Sequence, residues 1–419
     1  MVGYDPLVAW PRLVRRYGDL AQFRVGRRHV FVVSRPDLIE DVWVRHRDKT
    51  VKDTVTRELS SVLGNGLLTS SGAHWKRQRR RIAPSFQPRH LSGYADAMVR
   101  STVERLPAPG ELDVHELSAA ITLDIVIRTL FGAEPSGEAG KVGDLLADLM
   151  AAFEVEQRTV WRFVPDWVPG AHRSKVERAR DALDALVMDL VAQGRARGDA
   201  DDLLCRLLAA RDEDGNAMSD AELRDELLTL FLAGHETTAL AVSFALWLLA
   251  EHPEVQDRLL AELDGLEGPP GLKDLRSLPF LDAVLKETLR LYPPAWATGR
   301  EVLEDIELAD GTIPAGAQVA ASQWVVHRDP RYWTGPSRFR PERWTNGETE
   351  HLPRMAYFPF GGGDRVCVGN HFADMEAKLV LATLLGDRRV RAVPGYAPDL
   401  VPAVTLRPRN GVRVAFEAR

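Results

Sequence analysis

Cysteine is nearly absent: Cys205 and Cys367 are the only two in 419 residues. Two cysteines cannot build a disulfide framework, so the expected compartment is a reducing, cytoplasmic one. An excess of positive charge is missing too. The chain carries 54 basic and 60 acidic residues, a net charge of −6, whereas a nucleic-acid binder would present a strongly basic face. The first residues, MVGYDPLVAWPRLVRRYGD, hold no apolar core of the signal-peptide kind. No repeat, low-complexity tract or Gly/Ser/Pro-rich linker divides the sequence, which predicts one domain over 1–419. What is present suits that expectation: 45% hydrophobic residues are enough for a sizeable core.

One apolar run is long enough to cross a bilayer, LLTLFLAGHETTALAVSFALWLLA from Leu227 to Ala250. His235 and Glu236 sit at its middle, where a carboxylate would cost roughly 2.5–3.5 kcal/mol. Upstream, Ser219 and Glu222 fit a capping box. The run therefore reads as the central helix of a soluble protein, about 219–251, and its buried glutamate needs a purpose.

The remaining pattern is mainly helical with a minor β portion. Residues 20–34 predict two short strands around Gly26, followed by a helix from Arg35. Helical periodicity covers 72–106 in two helices, then 114–131, 140–160, 173–196 and 201–211. Helices flank Pro253, and Pro279 starts another that Pro293-Pro294 ends. Residues 300–326 alternate like strands, 369–385 are helical, and 400–417 predict strands.

Four motifs carry chemistry. FPFGGGDRVCVGN, 358–370, surrounds Cys367 with three consecutive glycines and sets Arg365 two residues before it. Backbone N–H groups, a following helix start and a cation all favour a thiolate. That thiolate could ligate a metal or act as a nucleophile, and an inert buried cysteine is open on composition alone. In AGHETT, Gly234 is costly inside a helix unless something presses flat against it, and an acid beside hydroxyls suits a proton relay. A zinc-protease reading of His235-Glu236 fails because Ala239 stands where the second histidine belongs. Glu287 and Arg290 share a helix face, as a surface ion pair would. In HWKRQRRR, Trp75 and Arg79 share a face, while Lys76, Arg77, Arg80 and Arg81 form a basic patch for an acidic partner, an anion or plain solvent.

Together these segments resemble the cytochrome P450 family, in matching order along nearly the whole chain. FPFGGGDRVCVG matches its cysteine loop, with Phe360, Gly363, Arg365, Cys367 and Gly369 in place. AGHETT matches its oxygen-activating stretch, Glu287-Thr288-Leu289-Arg290 its Glu-x-x-Arg pair, and PERW, 341–344, the segment whose arginine closes on that pair. The resemblance implies the family fold, with haem b between the long helix and the cysteine loop. It implies Cys367 as the iron ligand and Trp75, Arg79, Arg300, Arg365 and His74 at the propionates. Phe360 and Gly369 shape the cysteine loop, and Glu287, Arg290 and Arg343 form a structural triad. Glu236 and Thr237 would relay protons. Ala233, Ala295, Trp296 and Ala297, with Leu63–Ser71 and Pro402–Thr405, would line an apolar pocket.

The implied reaction is insertion of one oxygen atom from O2 into a C–H bond. The expected substrate is a terpenoid or other secondary metabolite, with a fatty acid or polyketide as the alternative. A peroxygenase, a haem isomerase and a non-catalytic haem protein remain as other classes. The start of the chain suggests a soluble bacterial-type monomer with a few upstream residues trimmed. Its end, about 50 residues past Cys367, suggests that electrons come from a separate ferredoxin or flavodoxin, for which the basic patch at 76–81 is the expected docking face.

Overall fold

Alternating apolar residues at 20–33 form the expected hairpin. Leu20–Val25 runs antiparallel to Arg28–Val33, and Gly26 adopts φ +60° in the turn between them. The computed structural model describes residues 5–135, 141–158, 171–198 and 202–419. Val30–Val33 pairs in parallel with Gln318–Ala321. That strand pairs antiparallel with Thr298–Val302, which in turn meets Thr50–Lys52. The result is a five-stranded sheet. A three-stranded sheet joins Gly110–Asp113, Arg413–Ala418 and Arg388–Ala392, and two hairpins complete the β portion among the described residues.

The chain clusters into two compact units. One comprises 1–54, 98–119 and 237–419, and holds every described strand. In it the sheet packs on Leu38, Ile39, Val42 and Trp43, with Val326, Met355 and Phe358 completing the same core. Met355 and Phe358 thereby anchor the start of the cysteine loop. The other unit comprises 55–97 and 120–236 and holds helices and connecting loops, with no strand among its described residues.

Most expected helices form close to their predicted limits: Gly72–Ile82, Pro88–Val103, Val114–Phe131, Lys141–Arg158, Ala171–Arg197, Leu203–Ala209, Pro253–Leu263, Pro279–Leu291 and Asn370–Leu385. Residues 140, 159–160 and 201, which the predicted helices also included, lie outside the described residues. The long helix runs Asp220–Glu251, and its capping box is real. The Ser219 N–H donates to Glu222 Oε2 at 2.9 Å, and the Glu222 N–H donates to Ser219 Oγ at 3.2 Å. By length and composition this helix could span a membrane, yet 72% of its most apolar window is buried inside the protein. That is the signature of a core helix.

Two expectations need correction. The strand pattern of 300–326 stops at Ala321, because the Ser322 hydroxyl caps a short helix, Gln323–Val326. The strands at 50–52, 110–113 and 388–392 went unpredicted. Each is five residues or fewer, and its alternation is too brief to register without its partner.

Candidate functional site: a cysteine loop and a cationic strand pair

The cysteine loop is shaped by backbone more than by side chains. Gly361 and Gly363 take φ +75° and +66°, a region that side chains resist. A Cβ on Gly363 would also meet the Trp43 carbonyl oxygen at 2.3 Å. The Phe358 N–H donates to His327 Nε2 at 3.0 Å. Burial, with Arg290 and Arg328 nearby, holds His327 well below the usual histidine range, so it is a neutral acceptor. The Cys367 N–H donates to the Phe360 carbonyl at 2.9 Å, closing the loop. Gly369 then caps the helix Asn370–Leu385, so Cys367 sits just ahead of that helix's positive end.

The two cysteines are opposites. The Cys367 side chain is exposed. Cys205 is buried, its thiol directed at the Gly194 carbonyl and Asp202, and burial and Asp202 push its pKa up. Cys205 is the inert one.

Sequence reasoning missed Lys52. It faces Arg300 directly across the antiparallel strands Thr50–Lys52 and Thr298–Val302. Like charges so opposed are destabilising. Desolvation, with Arg300 and Arg365 beside it, brings Lys52 down to about 7. Arg300 falls to about 10, for desolvation, while Asp53 opposes the shift. Arg300 also lies 5.3 Å from the Trp43 ring centroid. Three cations converge where one half-buried aspartate stands, an arrangement that an anion with two carboxylates would relieve. Nothing in the local sequence VKDTV marks Lys52, because only strand register brings it to Arg300.

This supports a prediction. Lys52→Met should raise the melting temperature of haem-free protein, since cross-strand repulsion goes. It should also speed haem transfer from loaded protein to an apo-globin acceptor several-fold. Unchanged retention would remove Lys52 from the anion site.

The long helix is buried along Leu227–Leu232 and again along Thr238–Leu246. Between these stretches Ala233 is exposed and Gly234–Thr237 are half-buried. The interruption of the apolar run is therefore a window in the helix surface. A Cβ on Gly234 would come within 3.2 Å of a Val126 methyl, so the helix Val114–Phe131 also presses on this position.

Near Thr238 lies a second unpredicted group. Glu376, on the C-terminal helix, is fully buried, and neither carboxylate oxygen meets a donor in hydrogen-bond geometry. Desolvation raises it to about 8, which the nearby Thr238 hydroxyl offsets in part. It is a protonated acid at neutral pH.

Glu287, Arg290 and Arg343 are brought together with no exposure at all. Glu287 accepts Arg290 Nη2 at 2.8 Å, Arg290 Nε at 2.9 Å and Arg343 Nε at 3.1 Å. It also accepts the Arg340 N–H and the Trp344 indole N–H. Burial alone would raise its pKa, but the Arg290 bonds and both guanidinium charges hold it below the usual range. The surface ion-pair reading is excluded.

Ala295, Trp296 and Ala297 are half-buried and adjoin the hairpin of Leu400–Pro402 and Leu406–Pro408. The Trp296 indole N–H donates to the Ala403 carbonyl at 2.9 Å, and the Leu406 N–H to the Pro294 carbonyl. The two stretches expected to line the pocket thus meet, with the polar edge of Trp296 engaged in joining them.

The other predicted residues, His74, Trp75, Arg79, Ala233 and Glu236, belong to the helical unit. Trp75 is buried and Arg79 half-buried on the helix Gly72–Ile82. His74 does not fit a propionate role. Its Nε2–H donates to the Asn65 carbonyl at 3.1 Å and its Nδ1 accepts from Arg77, so both ring nitrogens are engaged. The basic patch needs correcting too. Arg81 is buried against Asp212, Arg77 pairs with Glu222, and Arg80 pairs with Glu213. These arginines brace the helix to residues 212–222, and Lys76 stays exposed.

An exposed thiol ahead of a helix, a glycine loop that can pass beneath a flat group and a cationic cluster fit a macrocycle with carboxylate arms. Among the described residues no cluster of three His, Cys, Asp or Glu could hold a bare metal ion. The class so defined is a haem-thiolate protein. The chain belongs to the cytochrome P450 family, whose description matches residues 7–411. It is 34% identical to cyclooctatin synthase of Streptomyces melanosporofaciens, over 93% of this chain and 87% of that one. It is 33% identical to pentalenene oxygenase of Streptomyces avermitilis, over 96% and 91%. Its structure resembles the crystal structure of the cytochrome P450DA haem domain, with TM-score 0.89 and 25% identity, covering all of this chain and 94% of that one. The protein is accordingly a haem-dependent monooxygenase, an oxidoreductase that uses O2 and a redox partner to act on a small organic substrate.

Proposed function

We propose that this monooxygenase hydroxylates, or further oxidises, a terpenoid of secondary metabolism, with haem b as its cofactor. The strongest support is the resemblance over nine-tenths of the chain to cyclooctatin synthase, cyclooctat-9-en-7-ol 5-monooxygenase and pentalenene oxygenase. All three names belong to terpenoid chemistry. The small apolar side chains of Ala233, Ala295 and Ala297 suit such a substrate.

In this reading residues 1–419 act as one catalytic domain, a cytoplasmic monomer. The bound haem supplies O2 activation and insertion of one oxygen atom into a C–H bond. Cys367 Sγ would hold the haem iron, with its charge supported by the loop amides and the helix start. Lys52, Arg300 and Arg365 would hold carboxylate arms, and Trp75 and Arg79 are the haem-binding residues expected from the helical unit. Phe360 and Gly369 keep the thiolate in place. The Glu236 carboxyl takes protons from solvent, and Thr237 Oγ1 passes them inward. A ferredoxin or flavodoxin delivers the electrons, with Lys76 as the cation left to meet it.

Two measurements test this. Purified enzyme titrated with terpenes and with fatty acids should show a spin-state shift with the terpenes at lower concentration. A response to fatty acids alone overturns the terpenoid assignment. Thr237→Ala should keep the spin-state shift while product formed per electron falls by about 10²-fold, the lower range for proton-transfer catalysis, with peroxide released instead. Unchanged coupling overturns the relay.

A further inference from the structure

Three carbonyls of the long helix take side-chain donors in addition to its backbone ladder. They belong to Phe231, His235 and Ala239, which stand four apart and so share one side of the helix. The His235 Nδ1–H donates to the Phe231 carbonyl at 2.9 Å. The Thr122 hydroxyl, on the helix Val114–Phe131, donates to the His235 carbonyl at 2.9 Å. The Ser243 hydroxyl donates to the Ala239 carbonyl at 2.5 Å and lies 3.3 Å from the Val114 carbonyl. Extra donors on helix carbonyls tilt them outward and bend the helix. The missing side chain of Gly234 allows the close approach of Val126 beside this row.

Thr122 is the unusual member. Thr102, Thr129, Thr288 and Thr383 are buried in helices as it is, and each directs its hydroxyl to the carbonyl four residues before it. Thr122 reaches a different helix, at the peptide group that joins His235 to Glu236. Packing alone would be served by valine, which has the same shape. We infer that Thr122 is a positioning residue for proton delivery: its hydroxyl fixes the rotational setting of the long helix at the His235–Glu236 peptide, and with it the aim of Thr237 Oγ1. The role in proton delivery rests on the haem-monooxygenase reading and its Glu236–Thr237 relay, whereas the clasp on His235 does not.

The need for such an anchor follows from the window. Gly234–Thr237 are half-buried between two fully packed stretches, so fewer side chains hold them in place. A relay hydroxyl must nevertheless be held to within about 0.5 Å of its working position. Thr237 stands two residues past His235, about 200° round the helix, and so faces away from the clasp. Thr122 therefore acts on it only through the setting of the backbone. A hydrogen bond to the carbonyl adjoining Glu236 resists rotation at that point, and the Ser243 hydroxyl draws on the same row one turn further on.

The test compares two variants of full-length, haem-loaded enzyme, using the compound that gives the largest spin-state shift. Thr122→Val keeps the shape and removes the hydroxyl, and the His235 carbonyl keeps its helix bond, so no buried acceptor is stranded. Product formed per electron should fall about fivefold, the weight of one ordinary hydrogen bond, with peroxide released instead. Thr122→Ser keeps the hydroxyl and loses a methyl group. It should melt at a lower temperature than Thr122→Val, yet couple like wild type. Thr129→Val, the same change on the same helix at an intrahelical bond, should leave coupling unchanged. In a Thr237→Ala background Thr122→Val should cause no further loss, because it acts through Thr237. Coupling that follows melting temperature instead of the hydroxyl, or a loss repeated in the Thr237→Ala background, overturns the positioning role. A crystal structure of Thr122→Val should show Thr237 Oγ1 displaced by about 0.5 Å or more, and an unmoved Thr237 overturns the clasp. Wild-type coupling in Thr237→Ala alone overturns the relay, and the role in proton delivery with it, while a displaced Thr237 Oγ1 still supports the clasp.

Discussion

Cys367→Ala should abolish the strongly red-shifted Soret band that wild-type enzyme shows when reduced and exposed to carbon monoxide, and all turnover with it. Cys367 is the exposed one of two thiols, held by the Phe360 carbonyl just ahead of a helix start. Cys205 cannot substitute, being buried and raised in pKa by desolvation and Asp202. A thiolate axial ligand donates electron density that alanine cannot supply. Cys205→Ala is the control and should keep the band. If Cys367→Ala retains it, the ligand lies elsewhere.

Glu287→Gln should prevent accumulation of folded, haem-loaded protein. Glu287 gathers five donors in a fully buried site, and three of them belong to the guanidinium groups of Arg290 and Arg343. Arg290 is further tied to the carbonyls of His327, Pro336 and Arg338, so it cannot swing out to water. Removing the negative charge strands the Arg290 guanidinium, at a cost of roughly 3–5 kcal/mol, while Arg343 keeps its pair with Glu348. Against a typical domain stability of about 5–15 kcal/mol, that is a large share of the total, enough to lower the yield of folded, haem-loaded protein sharply. Exposed pairs behave differently, at about 0–1 kcal/mol. Arg391→Gln, which breaks the exposed pair with Glu417, should leave haem content and melting temperature near wild type. Equal effects of the two variants would mean that the triad is not what holds the site. The pH sign follows from the depressed Glu287. Its contribution is present above the ordinary glutamate range and is lost as pH falls through its lower folded value.

The corrections share one cause. Seen along the chain, Lys76, Arg77, Arg80 and Arg81 are a basic run and His74 a propionate contact. In the fold Arg81 is buried on Asp212, and His74 holds Asn65. Charge sums along a segment do not say where the acids of another segment will lie.

The sequence by itself determined what depends on near neighbours. It specified the cysteine loop with its glycines, the capping box at Ser219 and Glu222, the proline-started helix bearing Glu287 and Arg290, and the hairpin around Gly26. Each is set by backbone dihedrals and hydrogen bonds within a few residues. Tertiary structure alone decided the opposition of Lys52 to Arg300, the raised pKa of the buried Glu376, and the burial of Arg81 on Asp212. Strand register and desolvation produce these features, and both depend on residues far away in the chain.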